Sequence, residues 1–363
     1  MLKSFRYVLL PFSFVYAIIV TIRNWLFDKD YLKSAAFNFP IICVGNLAVG
    51  GTGKTPMVEY LLRMLGNDYA IATLSRGYKR KTVGYGIANE NTTALEIGDE
   101  PMQFHLKFPN VAVAVGEERL VAIPQLLHDR PATEIIILDD AFQHRSVKAG
   151  LNILLTEHKN LYSRDLLMPA GDLRDRRSSA KRAEIIIVTK CNHDLTIGER
   201  DLILAELNPT ADQTVFFTEI LYGRPYHLFS KKTFTIPPDN DLLLVCGIAN
   251  PEPLQEFLTP LVRSYDMLSF PDHHVFSIDD MEEIKKQFEK MTSANKVIVT
   301  TEKDGVRLAK FENDLQDYPI YVLPIEHSFM FNDAARFYER VQIFISSLNT
   351  GNKDKVPQDQ PII

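Results

Sequence analysis

Short apolar runs alternate with helix-like segments along most of the chain after residue 38. An aliphatic run bounded by polar positions is typical of a buried strand, and the segments between the runs are long enough for helices. This order predicts a mainly parallel α/β sheet, because parallel neighbours need a crossover between them. In the first part of the chain, the predicted strands are 40–44, 69–74, 111–115, 135–138, 151–155, 184–189 and 214–219.

A polar, proline-containing stretch, "SKKTFTIPPDNDL" at 230–242, interrupts the alternation and is predicted to be a linker. Beyond it the alternation restarts with "LLLVCG", "DMLSF", "KVIVTT" and "IYVLPI", which predicts a second, smaller α/β lobe. The pattern divides the chain into a core at 35–229, a C-terminal lobe at 230–348 and a polar tail at 349–363. We expect this tail to be disordered.

The N-terminal region, 1–34, contains a longer apolar run. From Tyr7 to Ile22 the chain has sixteen residues without a charge, flanked by Arg6 and Arg23, and Trp25 follows. As a helix this run spans ~24 Å, less than the ~30 Å of a hydrocarbon core, and no signal-peptide cleavage site follows it. The basic flanks and the tryptophan predict a helix lodged in one leaflet of an anionic membrane surface. A helix buried against the protein is the alternative.

The composition excludes some classes of protein. The chain has 363 residues, enough for two domains, and its 46% hydrophobic and 24% charged residues exclude a disordered protein. A net charge of −6 argues against a nucleic-acid partner, which requires a basic face. Cys43, Cys191 and Cys246 show no CxxC spacing, so we expect reduced packing residues in a cytosolic compartment.

The stretch "VGNLAVGGTGKTP" lies between a predicted strand and an amphipathic helix. Gly53-Lys54-Thr55 match the end of the phosphate-loop pattern G-x-x-x-x-G-K-[ST], whereas Ala48 stands at the first glycine position. Backbone N–H groups of such a loop bind phosphates, the lysine reaches the β- and γ-phosphates, and the hydroxyl binds Mg²⁺. The predicted nucleotide-binding residues are Ala48, Val49, Gly50, Gly51, Thr52, Gly53, Lys54 and Thr55.

Two adjacent carboxylates, Asp139 and Asp140, end the predicted strand in "EIIILDDAFQH". Adjacent carboxylates at the end of a strand need a compensating cation, and a nucleotide site needs a carboxylate for Mg²⁺. The nucleotide is predicted to be ATP. A GTPase would read guanine with an N/T-K-x-D loop, and "VTKCNHD" has Asn192 where that pattern requires the acid.

An ordered set of motifs resembles one family, the tetraacyldisaccharide 4′-kinases of lipid A synthesis in Gram-negative bacteria. The set covers roughly residues 1 to 325 and consists of "VGNLAVGGTGKTP", "LSRGY", "GDEP", "VGEERLVA", "LDDAFQH", "LMPAGDLRD", "VTK", "GIANPEP", "FPDHH" and "TTEKDGVRL". The resemblance implies transfer of the ATP γ-phosphate to the 4′-hydroxyl of an acylated glucosamine disaccharide 1-phosphate, giving lipid IVA. It also implies a two-lobed kinase at the cytoplasmic face of the inner membrane, and it indicates no protein partner.

The resemblance also implies roles for particular residues. Lys54 and Thr55 fall on phosphate-loop positions, and Asp139 and Asp140 fall on the metal-associated pair. Asp99 of "GDEP" falls on the family's proposed base. The remaining positions are His273, paired with the base, Asp175, placed with the metal ligands, and the charge-neutralising Arg119 and Arg174.

The sequence departs from the family pattern at three positions. Ala141 replaces a usual glycine, Asp175 replaces a usual glutamate, and His274 follows His273, so spacing leaves open which imidazole faces Asp99. None of these changes removes a required functional group. The chemistry of these residues agrees with a kinase, because a carboxylate oriented by an imidazole can accept the proton of a sugar hydroxyl. A membrane-associated P-loop ATPase or nucleotide-driven carrier is the alternative, and it would need no such base.

Overall fold

The computed structural model describes residues 6–353. The first of these form a 3-10 turn, Arg6–Leu9, that leads into helix α1, Leu10–Asp28. Large apolar side chains such as Phe12, Phe14 and Ile19 are well exposed along it. Among the described residues, this is the one helix long and apolar enough to cross a membrane, counted as 23 residues from Arg6 to Asp28. The helical run is therefore longer than the uncharged stretch alone indicated.

Sixteen strands occur in the described range, and the apolar runs of the sequence supply most of them. The strands are β1 Ala35–Ala36, β2 Ile41–Asn46, β3 Ile71–Ser75, β4 Gly86–Ile87, β5 Ala112–Val115, β6 Ile135–Asp139, β7 Val147–Lys148, β8 Leu151–Glu157, β9 Ile185–Thr189, β10 Thr214–Tyr222, β11 Tyr226–His227, β12 Asp241–Cys246, β13 Ser264–Ser269, β14 Lys296–Thr301, β15 Ile320–Leu323 and β16 Ile325–Phe329.

Most helices after α1 begin after a polar or glycine residue; Pro251 and Phe311 precede the other two. They are α2 Lys54–Leu65, α3 Ala94–Ile97, α4 Asp99–Lys107, α5 Arg119–Asp129, α6 Ile197–Leu207, α7 Glu252–Leu258, α8 Ile278–Lys290, α9 Glu302–Leu308, α10 Glu312–Leu315 and α11 Ala334–Lys353. Capping boxes at Thr93, Thr196 and Ser277 fix the starts of α3, α6 and α8, because each side chain accepts from a backbone N–H of the first turn.

The larger sheet has the order β16-β10-β9-β8-β2-β6-β3-β5-β4 and is parallel except at its two edges. One hydrophobic cluster covers each face, so its central strands are buried on both sides. β2 lies between β6 and β8, and Val44 pairs with Asp139 across β2 and β6. The carboxyl ends of these neighbouring strands therefore meet at one edge, where such sheets bind ligands.

The smaller sheet, β11-β15-β14-β12-β13, is parallel except at β11 and carries its own core. Its helix α9 packs against α4 of the larger unit. At this lobe junction the Lys107 ammonium lies between two buried carboxylates, those of Glu59 and Glu302, and Gln103 donates to Glu59 at 2.7 Å. Charged groups thus join the lobes at this point.

The observed division of the chain differs from the predicted boundaries at 230 and 348. β11 already belongs to the smaller sheet, whereas β16 pairs antiparallel with β10 of the larger one. Phe337, Val341 and Ile345 of α11 are fully buried in the core of the larger sheet. Residues 325–353 therefore return to the first unit, and 349–353 are helical rather than a disordered tail. The remainder of the predicted tail, 354–363, lies outside the described residues.

Candidate active site

The loop between β2 and α2 turns through two glycines with positive φ. Gly50 has φ +111° and Gly53 has φ +85°. A Cβ at Gly53 would also lie 2.9 Å from the Nε2 atom of His327, so this position needs glycine both for its backbone conformation and for space. The turn delivers the chain into α2, whose first N–H groups have no partner within the helix. Such a helix start is a ready site for phosphate.

Neighbouring segments hold the phosphate loop in place. The Thr189 hydroxyl at the end of β9 donates to the carbonyl of Thr52 at 2.9 Å. The Asn46 amide at the end of β2 donates to the Thr52 hydroxyl at 3.0 Å. Ala48, at the position of the usual first glycine, forms an antiparallel bridge with Leu173. The departure from the usual pattern is therefore accommodated by pairing with a loop elsewhere in the chain.

Lys54, Asp140 and Arg174 form one charged group beside the loop. The Lys54 ammonium lies 3.3 Å from the Asn46 side-chain oxygen and 3.7 Å from Asp140 Oδ1. The Arg174 guanidinium donates to both oxygens of Asp140, at 2.8 and 3.2 Å. Burial alone would raise the pKa of Asp140, but the charges of Lys54 and Arg174 outweigh it and lower the pKa to about 2.

Asp139 ends β6 in a very different environment. Its Oδ2 atom accepts a hydrogen bond from the Ser75 hydroxyl at 3.3 Å, whereas its buried Oδ1 atom has no partner among the described residues. Burial, followed by the charge of Asp140, raises the pKa of Asp139 to about 7. A buried carboxylate oxygen without a partner is costly, and it fits a cation that a ligand would bring.

Arg119 lies at the start of α5 and is only 1% exposed. Its Nη1 atom donates to the carbonyls of Gly116 and Glu117, while Nε and Nη2 have no partner within the described range. Burial lowers the pKa of Arg119 to about 10, and the charge of Asp139 is the strongest influence in the opposite direction. The side chain is therefore placed to balance negative charge near Asp139.

Asp175, predicted to lie with the metal ligands, contacts α1 and Arg182. Its Oδ1 atom accepts from Asn24 of α1 at 2.7 Å, and its Oδ2 atom accepts from Arg182 at 2.9 Å. It is 1% exposed, and the backbone N–H of Arg176 also donates to it at 2.8 Å. These bonds tie α1 to the loop that carries Asp175, and a place for Asp175 among the metal ligands stays a prediction.

Asp99 opens α4 and meets two side chains of the smaller lobe. Its Oδ2 atom lies 2.6 Å from Arg307 Nη2 of α9 and 3.3 Å from His273 Nδ1. Burial alone would raise its pKa, but the hydrogen bonds of His273 and Arg307 and the arginine charge outweigh burial and lower the pKa to about 2. Asp99 is therefore a carboxylate at neutral pH.

The His273 ring lies between two cationic side chains. The Lys303 ammonium, which can only donate, lies 3.0 Å from His273 Nε2 and 3.0 Å from Asp272 Oδ1. The Arg307 guanidinium lies 3.3 Å from His273 Nδ1, the same distance as Asp99 Oδ2. The left-handed backbone of His273, with φ +61°, turns its side chain toward this cluster.

The structure answers which imidazole faces the carboxylate. His274 stacks on Phe270 with ring centroids 4.7 Å apart, and its Nε2 atom lies 2.9 Å from Asp280 Oδ2 at the start of α8. His273, and not His274, contacts Asp99.

Three residues of the site were not assigned a role from the sequence. Asn46, Lys303 and Arg307 lie inside the motifs "VGNLAVGGTGKTP" and "TTEKDGVRL", so the signal was present in the chain. Their partners are distant in sequence, however: Arg307 bonds a residue 208 positions earlier.

The structure brings together two groups, the phosphate loop with Asp139, Asp140 and Arg174, and the Asp99 cluster between the lobes. Thr55 is the second residue of α2.

A phosphate loop on a parallel sheet, a carboxylate pair on the next strand and a second lobe at the site define a P-loop phosphotransferase of the α/β class. The chain matches the family model described as LpxK, tetraacyldisaccharide-1-P 4′-kinase, over residues 5–345, and it belongs to that family. The predicted family, fold class and enzyme class are confirmed.

Individual relatives agree with this assignment. The tetraacyldisaccharide 4′-kinase of Bacteroides thetaiotaomicron is 44% identical over 359 residues, covering 95% of this chain and 94% of the relative. That of Flavobacterium johnsoniae is 46% identical over 330 residues, covering 90% and 93%. The crystal structure of Aquifex aeolicus LpxK in complex with ATP superposes with a TM-score of 0.72 at 29% identity, covering 96% of this chain and 99% of that one. The function predicted from the sequence, ATP-dependent 4′-phosphorylation of a lipid A precursor, is confirmed at this level.

Proposed function

We propose that this chain transfers the γ-phosphate of ATP to the 4′-hydroxyl of a tetraacyldisaccharide 1-phosphate, with Asp99 as the general base. The observation that carries this proposal is the Asp99 carboxylate, which His273 and Arg307 hold between the two lobes. A hydrolytic ATPase or a nucleotide-driven carrier has no need of an acceptor-activating base in this position. The family assignment supplies the acceptor.

Asp99 would act late in the transfer. A carboxylate with a pKa of about 2 is fully ionised at neutral pH but is a weak base. Phosphoryl transfer passes through a loose transition state, in which the acceptor hydroxyl becomes strongly acidic only as its bond to phosphorus forms. The contacts with His273 and Arg307 therefore fix the position of the Asp99 carboxylate but make it a weaker base. A weak base in a fixed position suits a reaction limited by positioning and charge.

Lys54, Arg174 and the loop N–H groups would bind and neutralise the phosphates. Lys54 and Arg174 already share contacts with Asp140, so a nucleotide would meet cationic groups whose positions are fixed in advance. Arg119, with two N–H groups lacking a partner in the described part of the chain, would balance charge from beneath Asp139. These assignments follow the predicted roles of Arg119 and Arg174.

We propose Mg²⁺ as the cation at Asp139 and Asp140. The fit rests on Asp139 Oδ1, a buried oxygen with no partner in residues 6–353, and on the hard oxygen ligands that Mg²⁺ prefers. Thr55, at the second position of α2, would contribute its hydroxyl. When bound, the ion would offset the negative charge of the phosphates.

We also propose that α1 binds the cytoplasmic face of the inner membrane. One face of the helix is tied to the site loops, because Tyr16 donates to the Arg174 carbonyl at 2.8 Å and Asn24 donates to Asp175. The other face exposes Phe12, Phe14 and further apolar residues. The same helix would thereby hold the active site close to a lipid acceptor.

The kinase proposal is tested by transfer from γ-labelled ATP to purified tetraacyldisaccharide 1-phosphate. We expect Asp99→Asn and Lys54→Met each to lower the rate of lipid labelling by at least ~10²-fold. Asp201→Asn, at an exposed carboxylate paired with its neighbour Arg200, is the matched control and should label lipid like wild type. ATP hydrolysis without labelled lipid would favour the ATPase alternative, and full labelling by Asp99→Asn would remove Asp99 as the base.

Membrane binding is tested by sedimentation with vesicles containing anionic lipid. Phe14→Glu should lower the bound fraction at least ~10-fold, because it replaces an inserted aromatic ring with a charge. Leu202→Glu, at a comparably exposed apolar position on α6, is the control and should bind like wild type. Equal binding by both variants would overturn the assignment of α1 as the membrane contact.

A further inference from the structure

His327 is a buried histidine that the reaction described above does not use. It lies on β16, the strand by which the chain returns from the smaller lobe to the larger sheet, and it is 3% exposed. Its Nε2 atom is 2.9 Å from the carbonyl oxygen of Gly53 in the phosphate loop. Its Nδ1 atom is 3.0 Å from the hydroxyl of Thr218 on β10. The ring therefore connects the edge of the sheet to the loop.

The hydrogen-bond partners fix the state of this ring. A carbonyl can only accept, so Nε2 must carry the proton that it donates to Gly53. Nδ1 then accepts from the Thr218 hydroxyl, which can supply a proton. Burial lowers the pKa of His327 to about 4, and the positive charges of Lys190 and Arg63 act in the same direction. A single neutral tautomer is thus held in place by groups on two strands.

The bond to Gly53 acts on the part of the loop that faces the nucleotide. Gly53 O and Lys54 N belong to one planar trans peptide and point in opposite directions. The Gly53 carbonyl accepts from His327 and from the Met57 N–H at 3.1 Å, so the Lys54 N–H of the same peptide points away from both donors. Thr189 acts in the same way on the preceding peptide, because it donates to the carbonyl of Thr52 at 2.9 Å. The two side chains clamp consecutive peptides.

We propose that His327 is a positioning residue that orients the Gly53–Lys54 peptide for phosphate binding. Its ring stands so close to Gly53 that a Cβ there would meet Nε2 at 2.9 Å, so ring and loop are packed as one unit. Anion sites built from backbone N–H groups depend on those groups converging before the ligand arrives. The inference rests on the ATP-binding role of the loop and adds a residue 274 positions away to it.

The test compares His327→Phe, His327→Gln and Thr218→Val in the full chain, with KM measured separately for ATP and for the lipid acceptor. His327→Phe keeps a planar ring but removes one of the two donors to the Gly53 carbonyl, since only the Met57 N–H at 3.1 Å then remains. We expect its KM for ATP to rise about 10-fold, the loss of one buried hydrogen bond, with KM for the lipid unchanged. His327→Gln can restore a donor near the Nε2 position and should recover part of the ATP affinity. Thr218→Val removes the group that holds the tautomer and should weaken ATP binding in the same direction.

A purely structural role would give a different pattern. Tyr69→Phe, which removes the hydroxyl bonded to Gln342 of α11 at 2.8 Å, is the control for loosening the returning segment. Its KM for ATP should equal that of wild type. The proposal is overturned if His327→Phe binds ATP like wild type, or if His327→Gln is no better than His327→Phe. Should His327→Phe fail to fold, KM for ATP is compared among His327→Gln, Thr218→Val and Tyr69→Phe. The proposal then requires a higher KM for ATP in Thr218→Val than in Tyr69→Phe. Failure of wild type to bind ATP would instead refute the proposed function.

Discussion

Asp139 and Asp99 are both largely buried carboxylates. Asp139 lies at the edge of the larger sheet where we propose Mg²⁺ (the metal edge), and Asp99 lies at the junction of the lobes. The pKa of Asp139 is raised to about 7, whereas that of Asp99 is lowered to about 2. Burial raises the pKa in both places, so burial does not distinguish them. The difference comes from partners: Asp139 has one hydroxyl donor and a neighbouring carboxylate, and Asp99 has Arg307 and His273.

This contrast shows where each unit supplies positive charge. At the lobe junction the protein provides its own cation, which comes from α9 of the smaller lobe. At the metal edge, Lys54 and Arg174 contact Asp140, and Asp139 is left with an oxygen that has no partner within the described chain. A cation brought by the nucleotide would complete the metal edge. Asp99, in contrast, has its cationic partner before any ligand arrives.

Replacing Arg307 should have the largest effect on the pKa difference between Asp139 and Asp99. In Arg307→Met only His273 is left to offset the burial of Asp99, so the pKa of Asp99 should rise. Asp99 serves as a base only when ionised, so activity should fall as pH is lowered through the new, higher pKa. We expect kcat to fall by ~10²-fold near pH 5 and by less near pH 8. The measurement is the pH profile of lipid labelling.

Arg307 also bonds Asp304, which accepts from the Gly247 N–H, so a second variant separates rate from folding. Arg307→Lys keeps the charge and should retain a pH profile close to that of wild type. Arg336→Met, at an exposed arginine paired with Asp333, is the control for loss of one positive charge. If Arg307→Met is well folded and its lipid labelling falls at the same acidic pH as that of wild type, Arg307 does not set the pKa of Asp99.

Much of the larger sheet could be predicted because its central strands are buried on both faces and therefore form continuous apolar runs, as in "EIIILDD". The phosphate loop was predictable for a similar reason, since its residues are contiguous and its glycines are required by backbone geometry. The lobe boundary was not predictable in this way. β16 looks like one more strand of the second unit, and only pairing with β10 shows which sheet it joins.

The site was predictable to the extent that its chemistry is local. Lys54 and the Asp139–Asp140 pair follow from spacing along one strand and one loop. Asp99 required the family resemblance, because its partners lie 174 and 208 residues away. Asp175 was placed with the metal ligands by the same resemblance. A contact with Asn24, 151 residues away, engages its carboxylate, and no local pattern reports such a contact.

A smaller effect, on the stability of the protein, is expected when Asp139 is replaced. Because the folded protein raises its pKa to about 7, the folded state binds this proton more tightly than the unfolded chain does. Stability without metal should therefore be highest below the ordinary pKa of an aspartate and should fall as pH rises toward about 7. Asp139→Asn removes the charge, so its free energy of unfolding near pH 8 should be about 1–2 kcal/mol higher than that of wild type. The gain is limited because part of it is lost in burying the amide. Near pH 4, where wild-type Asp139 is protonated, the order should reverse, because only the cost of burying the amide remains.

Denaturant unfolding of both proteins with and without Mg²⁺-ATP separates the causes. In its presence the wild type should gain stability, whereas Asp139→Asn should gain much less, because it has lost the ligand proposed to hold the ion. Asp68→Asn, at an exposed aspartate, should track wild type under every condition. Equal stability of Asp139→Asn and wild type across the pH range would mean that the Asp139 carboxylate finds compensation within the protein. The metal edge would then resemble the lobe junction, and the case for a cation supplied by the ligand would lose its main support.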